Sequence, residues 1–176
     1  VELGTGKGRF ISSMGAMHPD VDYVGLERQE GVIYYAGQKT AAVDPPVQNV
    51  RLALWDIGAV EILFAPGEVD RFYINFCDPW PKARHAKRRL THRNYLDRYR
   101  TLLSADGDIC FKTDNRELFD FSVQEFTDMG WALSDVTADL HSHPADGDVM
   151  TEYEEKFSEK GNLICRLIAK PPSSKN

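Results

Sequence analysis

The 176 residues contain no uninterrupted apolar run near the roughly 20 needed to cross a bilayer. No charged-then-apolar leader with a small-residue cleavage site opens the chain, and a cytoplasmic protein is expected. Cysteine is scarce. Cys77, Cys110 and Cys165 are far apart and lie in or beside predicted strands, which excludes a dense disulfide framework and points to reduced thiols with no metal site. There is no internal repeat and no initiator Met, and only Val1–Leu3 remain of a first strand. The native start is therefore expected to precede Val1. What remains, 42% hydrophobic and 27% charged, suits one domain over residues 1–170 with a frayed tail at 171–176.

The net charge of −6 argues at first against a polyanionic partner. Its distribution argues otherwise. Residues 82–100 carry eight Lys or Arg against one acid, Asp97, leaving 13 basic and 26 acidic residues elsewhere, so one patch at +7 faces a remainder at −13. Such asymmetry draws a nucleic acid to one surface and repels it from the others.

That patch opens inside the segment on which the chain is centred, FYINFCDPWPKARHAKRR at 72–89. Its apolar beginning reads as a buried strand. Pro79 and Pro81 end the strand and stiffen the turn, because each ring fixes φ and removes a backbone donor. Asp78 and Trp80 thus stand on a rigid corner beside Lys82, Arg84, Lys87, Arg88 and Arg89, a combination suited to phosphates around a held base. A basic run alone reads first as a solvated segment after a turn. The corner before it favours the functional reading.

At the amino end, Gly4, Gly6 and Gly8 form a turn into a predicted helix over 9–17, with free amides at its start. A strand over 22–26 then ends at Glu27, about twenty residues beyond the glycines, where a carboxylate can accept the ribose hydroxyls of an adenosine-containing ligand. An ordinary βαβ crossover with an exposed Glu is the competing reading. The pattern continues with a helix over 29–42, a strand over 50–54 closed by Asp56, a short helix over 60–64 and the strand over 69–76. Asp56 is placed either to read an adenine amino group or to cap a helix. A helix over 91–103, a strand over 108–113 ending at Asp114, a helix over 115–129, and strands over 131–136 and 163–169 complete the chain. Between the last two lie His141, His143 and the segment 151–160. His85 and His92 read as part of the basic patch or as a helix cap.

Strands alternating with helices, with acids at successive strand ends, predict a doubly wound α/β sheet with its site along the carboxyl edge. About seven strands, the last two expected to be antiparallel, fit the methyltransferase variant of the Rossmann-like fold and S-adenosylmethionine as cofactor. Two other classes stay open: an RNA-binding module without catalysis, and a nicotinamide-dependent oxidoreductase.

Five segments in order, ELGTGKG at 2–8, GLE at 25–27, NFCDPWPKARHAKRR at 75–89, FKTDN at 111–115 and TEYEEKF at 151–157, resemble the bacterial tRNA (guanine-nitrogen-7) methyltransferase family. The resemblance implies methylation of guanine 46 in the variable loop of tRNA. It implies cofactor contacts at Glu2, Gly4, Gly6, Glu27, Asp56 and Asp78, with Asp78 also catalytic. Substrate contacts fall on Lys82, Asp114, Thr151, Glu152, Tyr153 and Glu154, and an RNA-interaction segment on Arg84, His85, Lys87, Arg88 and Arg89. Asp114 and Glu154 are the two carboxylates expected to meet the donor edge of guanine, with Trp80 or Tyr153 over its face. Without the resemblance, Glu152, Glu154 and Glu155 read as the acidic first turn of a helix. Monomer and homodimer stay open.

Overall fold

The computed structural model describes residues 1–142 and 149–172, so His143 and positions 173–176 lie outside the described residues. Alternation along the strands builds the layers. In β4 (Val69–Asn75), Phe72 and Ile74 enter one core while Tyr73 enters the other. The first core receives Leu96, Tyr99 and Leu102 from α3 (Arg93–Leu102), and Leu118, Phe119 and Phe126 from α4 (Arg116–Asp128). On the opposite face, α1 (Arg9–Met17) contributes Phe10, Ile11 and Met14 against Tyr23.

The sheet orders its strands β3-β2-β1-β4-β5-β7-β6. Here β1 is Glu2–Leu3, β2 Tyr23–Glu27, β3 Val50–Leu54, β5 Leu103–Thr113, β6 Ala132–Thr137 and β7 Cys165–Lys170. Neighbours from β3 to β5 pair in parallel, while β7 pairs antiparallel with both β5 and β6. Hence β7 alone is reversed, inserted between two strands that precede it, and β6 keeps the common direction. The last two strands of the chain, β6 and β7, thus run antiparallel to each other. α2 (Glu30–Ala41) follows β2, and α5 (Glu152–Ser158) precedes β7.

Other departures are local. The short helix expected over 60–64 is a 3-10 turn at Ile57–Ile62, started by Asp56, whose Oδ1 accepts from the Gly58 amide at 2.7 Å. The basic segment also winds into a 3-10 turn, Ala83–Arg88. β5 begins at Leu103 because Leu103 pairs with Val69 before the register shifts, so α3 runs directly into it. His92 caps α3 through Nδ1, which accepts from the Asn94 amide at 3.2 Å, and partial burial favours the neutral ring that this bond needs. Among the described residues, no helix is long and apolar enough to cross a membrane.

Candidate active site

The carboxyl ends of β1 to β5 bring together most of the acids singled out above. The chain leaves β1 through Gly4, Gly6 and Gly8, all in the left-handed region, with φ of 86°, 56° and 79°. The Gly4 and Thr5 amides both donate to the Leu26 carbonyl, which ties the turn to β2. At the end of β2, Glu27 Oε2 accepts from the Gly6 amide at 3.2 Å, and Oε1 accepts from the Arg28 and Gln29 amides at 2.9 and 3.0 Å. A carboxylate offers about four acceptor sites. One on Oε2 is therefore left for a ligand hydroxyl, fewer than the pair expected from the sequence. Asp56 divides its work similarly, with Oδ1 capping the 3-10 turn.

Glu2 is buried. It accepts from the Thr5 hydroxyl at 2.6 Å and from Asn75 Nδ2 at 3.0 Å, and burial pushes its carboxyl up to about 7. The Asn75 amide oxygen is buried with no hydrogen-bond partner among the described residues. An orphaned acceptor is costly unless a ligand donates to it. Asn75 belongs to both cavities at this edge, one of about 420 Å³ and one of about 430 Å³. Gly4, Glu27, Asp56, Asp78 and Trp80 line the first; Glu2, Gly6, Thr151, Glu152 and Tyr153 line the second. Gly4, Asn75 and Phe76 are common to both, so the cavities meet there. The donor set fits S-adenosylmethionine: carboxylates for the adenosine hydroxyls and amine, and Asn75 Oδ1 with Glu2 for an ammonium group. Asn75 opens the basic motif at 75–89, but nothing in its spacing reveals an unpaired oxygen.

The corner after β4 is held in unusual geometry. Phe76 and Trp80 adopt φ of 51° and 43°, a region sparsely used by side-chain-bearing residues and costing on the order of 1–3 kcal/mol each. Arg89 holds this shape, donating from Nε to the Pro79 carbonyl at 3.0 Å and from an Nη to the Trp80 carbonyl at 3.1 Å. Its guanidinium also lies 4.3 Å from the Phe121 ring centroid. Arg89 thus braces the corner with two of its five N–H donors. Arg88 lies 4.8 Å over Trp80 and His85 meets the same ring edge-on at 5.7 Å, with Arg88 and Trp80 both on the first cavity's wall. Lys82, Arg84 and Lys87 remain exposed outside both cavities. Asp78 itself is exposed at the rim of the first, with no hydrogen bond or ion pair among the described residues. Cys77 beside it is no nucleophile, since burial pushes its thiol up to about 12.

At the second cavity, Tyr153 packs between Phe76 and Phe157, with ring centroids 5.0 and 4.0 Å away, and burial together with the nearby Asp114 carboxylate pushes its phenol up. Asp114 also accepts from Asn162 Nδ2 at 3.1 Å. Glu152 is ion-paired with Lys39 and Glu155 with Arg9. Glu154 departs most from expectation. It is fully buried, Oε2 accepting from Lys112 Nζ at 2.7 Å and Oε1 lying 3.0 Å from His141 Nε2. With both oxygens engaged, it is buried away from the cavity in which the resemblance implies a guanine contact. Asp114 is the remaining candidate for the guanine edge.

These features, a reversed seventh strand and a ligand edge of glycines and carboxylates, define a class I methyltransferase fold. A solved antibiotic-related methyltransferase superposes with a TM-score of 0.68 at 15% identity, covering 96% of this chain and 84% of that one. A family model described as "Putative methyltransferase" matches residues 1–167. The tRNA (guanine-N(7)-)-methyltransferase of Streptococcus mutans serotype c is 48% identical over 170 residues, 97% of this chain and 80% of that protein. Its namesake in Lachnoclostridium phytofermentans is 48% identical over 170 residues, covering 96% and 78%. The chain belongs to the tRNA (guanine-N(7)-)-methyltransferase family.

Proposed function

We propose that this protein methylates nitrogen-7 of a guanine in tRNA, guanine 46 of the variable loop, using S-adenosylmethionine in the bacterial cytoplasm. The observation carrying this reading is the meeting of two cavities at Asn75 and Phe76, one edged by Glu27, Asp56 and Asp78 and the other by Tyr153, beside an exposed basic turn. Bound S-adenosylmethionine supplies an electrophilic methyl group. Nitrogen-7 of neutral guanine bears an in-plane lone pair and no hydrogen, so the chain need not provide a general base. Its task is to hold the acceptor in line and to stabilise positive charge as it spreads onto the guanine ring.

In this reading, Glu27 and Asp56 hold the adenosine, Asn75 and Glu2 take the ammonium, and Gly4 lets the backbone approach closely. Asp114 accepts from the Watson–Crick donors of guanine, Tyr153 covers the base, and Asp78 faces the developing charge. The base must leave its stack to reach them. Lys82, Arg84 and Lys87 hold phosphates. The test is transfer of labelled methyl to unmodified tRNA, against a transcript with adenine at position 46. Label in the guanine transcript alone is expected; equal label in both moves the target elsewhere.

Counterion release separates the cations. Replacing Lys82, Arg84 and Lys87 by Ala should flatten the plot of log affinity against log salt by about 0.7–0.9 for each phosphate that is no longer neutralised. Arg89→Ala should leave that slope unchanged while slowing transfer, because it loosens the Asp78 corner. Filter binding across a salt series decides, and a slope flattened equally in Arg89→Ala returns that residue to the RNA surface.

A further inference from the structure

The Lys112 side chain, near the end of β5, is 1% exposed, and Glu154, in the first turn of α5, is 0% exposed. Burying both charges is costly, and such a pair is often no more stabilising than an apolar pair of the same size. Its geometry points to a use beyond stability. Lys112 Nζ donates to Glu154 Oε2 at 2.7 Å and to the Val149 carbonyl at 3.0 Å, so one ammonium group fastens both ends of the segment 149–154 to the sheet. The opposite oxygen of Glu154 meets His141, and the Thr151 hydroxyl closes a capping box with the Glu154 amide at 2.9 Å.

The rest of α5 is more loosely held. Its ion pairs to Arg9 and Lys39 have side chains one-third to one-half exposed, a class of contact that contributes little. The helix is 7 residues long, too short to hold its own position in water. Yet Thr151, Glu152 and Tyr153 form a wall of the second cavity, and Tyr153 feels the charge of Asp114 on the loop after β5. Lys112 is two residues before Asp114 on the same chain. The Thr151–Tyr153 wall and the loop that carries Asp114 therefore share one buried anchor.

We propose that Lys112, through Glu154, is a positioning residue for the guanine substrate: it sets the distance between the Thr151–Tyr153 wall and Asp114. This rests on the reading of Asp114 and Tyr153 as base contacts. Removing Lys112 alone strands a buried carboxylate and endangers the fold, so the informative variant is the apolar pair Lys112→Met with Glu154→Met. It is expected to unfold near the wild-type temperature and to bind S-adenosylmethionine with near wild-type Kd in calorimetry. Exchange of the amides of 149–154 should nevertheless quicken, and kcat/KM for tRNA should fall about 100-fold, as small misplacements of substrate do. Wild-type kcat/KM in the pair variant overturns the proposal. Equal losses in cofactor and tRNA affinity also overturn it, since Lys112 then acts toward Glu2. Asp114→Ala, assayed in parallel, tests the base-contact reading independently: if it retains full activity, that reading fails whatever the pair variant does.

Discussion

Asp78→Asn should reduce kcat about 10²- to 10³-fold, the range seen when one preorganised charge-stabilising group is removed. Melting temperature should hardly move, because Asp78 is exposed and makes no hydrogen bond or ion pair among the described residues. The expected size of the effect comes from how rigidly that carboxylate is presented. Two prolines follow it within three residues, Phe76 and Trp80 hold left-handed backbone on either side, and Arg89 clamps the carbonyls that follow. Such a corner cannot relax to replace a lost charge. Asn keeps the size and the hydrogen-bonding oxygen, so the variant isolates charge. Single-turnover transfer at saturating tRNA and S-adenosylmethionine is the measurement, with cofactor Kd from calorimetry beside it. Unchanged kcat with a tenfold weaker cofactor Kd would leave Asp78 only the task of orienting the cofactor.

The general architecture is readable from the chain because its cues are local. Alternation in β4 and the glycines and prolines that punctuate the strands act within a few residues, and they give element type and the edge on which Glu27, Asp56 and Asp78 gather. The features that the chain does not reveal depend on partners far away in sequence. Glu154 looks like an exposed helix-start acid until Lys112, 42 residues earlier, is brought beneath it. Arg89 looks like one more cation until the chain folds back on Pro79 and Trp80. β7 pairs between two strands that precede it, which no periodicity encodes. Sequence pattern thus identifies charged groups better than it distinguishes those offered to a ligand from those spent on the protein.

The glycine turn allows the same distinction to be tested for backbone. Gly8→Ala should destabilise the protein by roughly 2–5 kcal/mol, the sum of left-handed strain of about 1–2 and overpacking of about 1–3. That corresponds to a fall in melting temperature on the order of 10 °C for a chain of this size. An added Cβ would lie 2.7 Å from Ala36 Cβ and 2.9 Å from Ala36 Cα, and Ala36 is the buried residue through which α2 seats. Gly6→Ala is the control. Its φ is also positive but nothing lies within 4 Å of a Cβ there, so only the strain of about 1–2 kcal/mol should appear. Adding Ala36→Gly to Gly8→Ala removes the clash between Cβ atoms and leaves the one with the backbone, so rescue should be partial. Cofactor affinity should weaken with the displaced turn, because Gly8 donates to Thr5, Thr5 to Glu2, and Gly6 to Glu27. Thermal melts and calorimetric cofactor titrations of the three variants decide. If Gly8→Ala melts no lower than Gly6→Ala, α2 yields to the added methyl and the turn is set by its own φ angles; if it melts well below, close packing of α2 on Gly8 holds the cofactor edge in place.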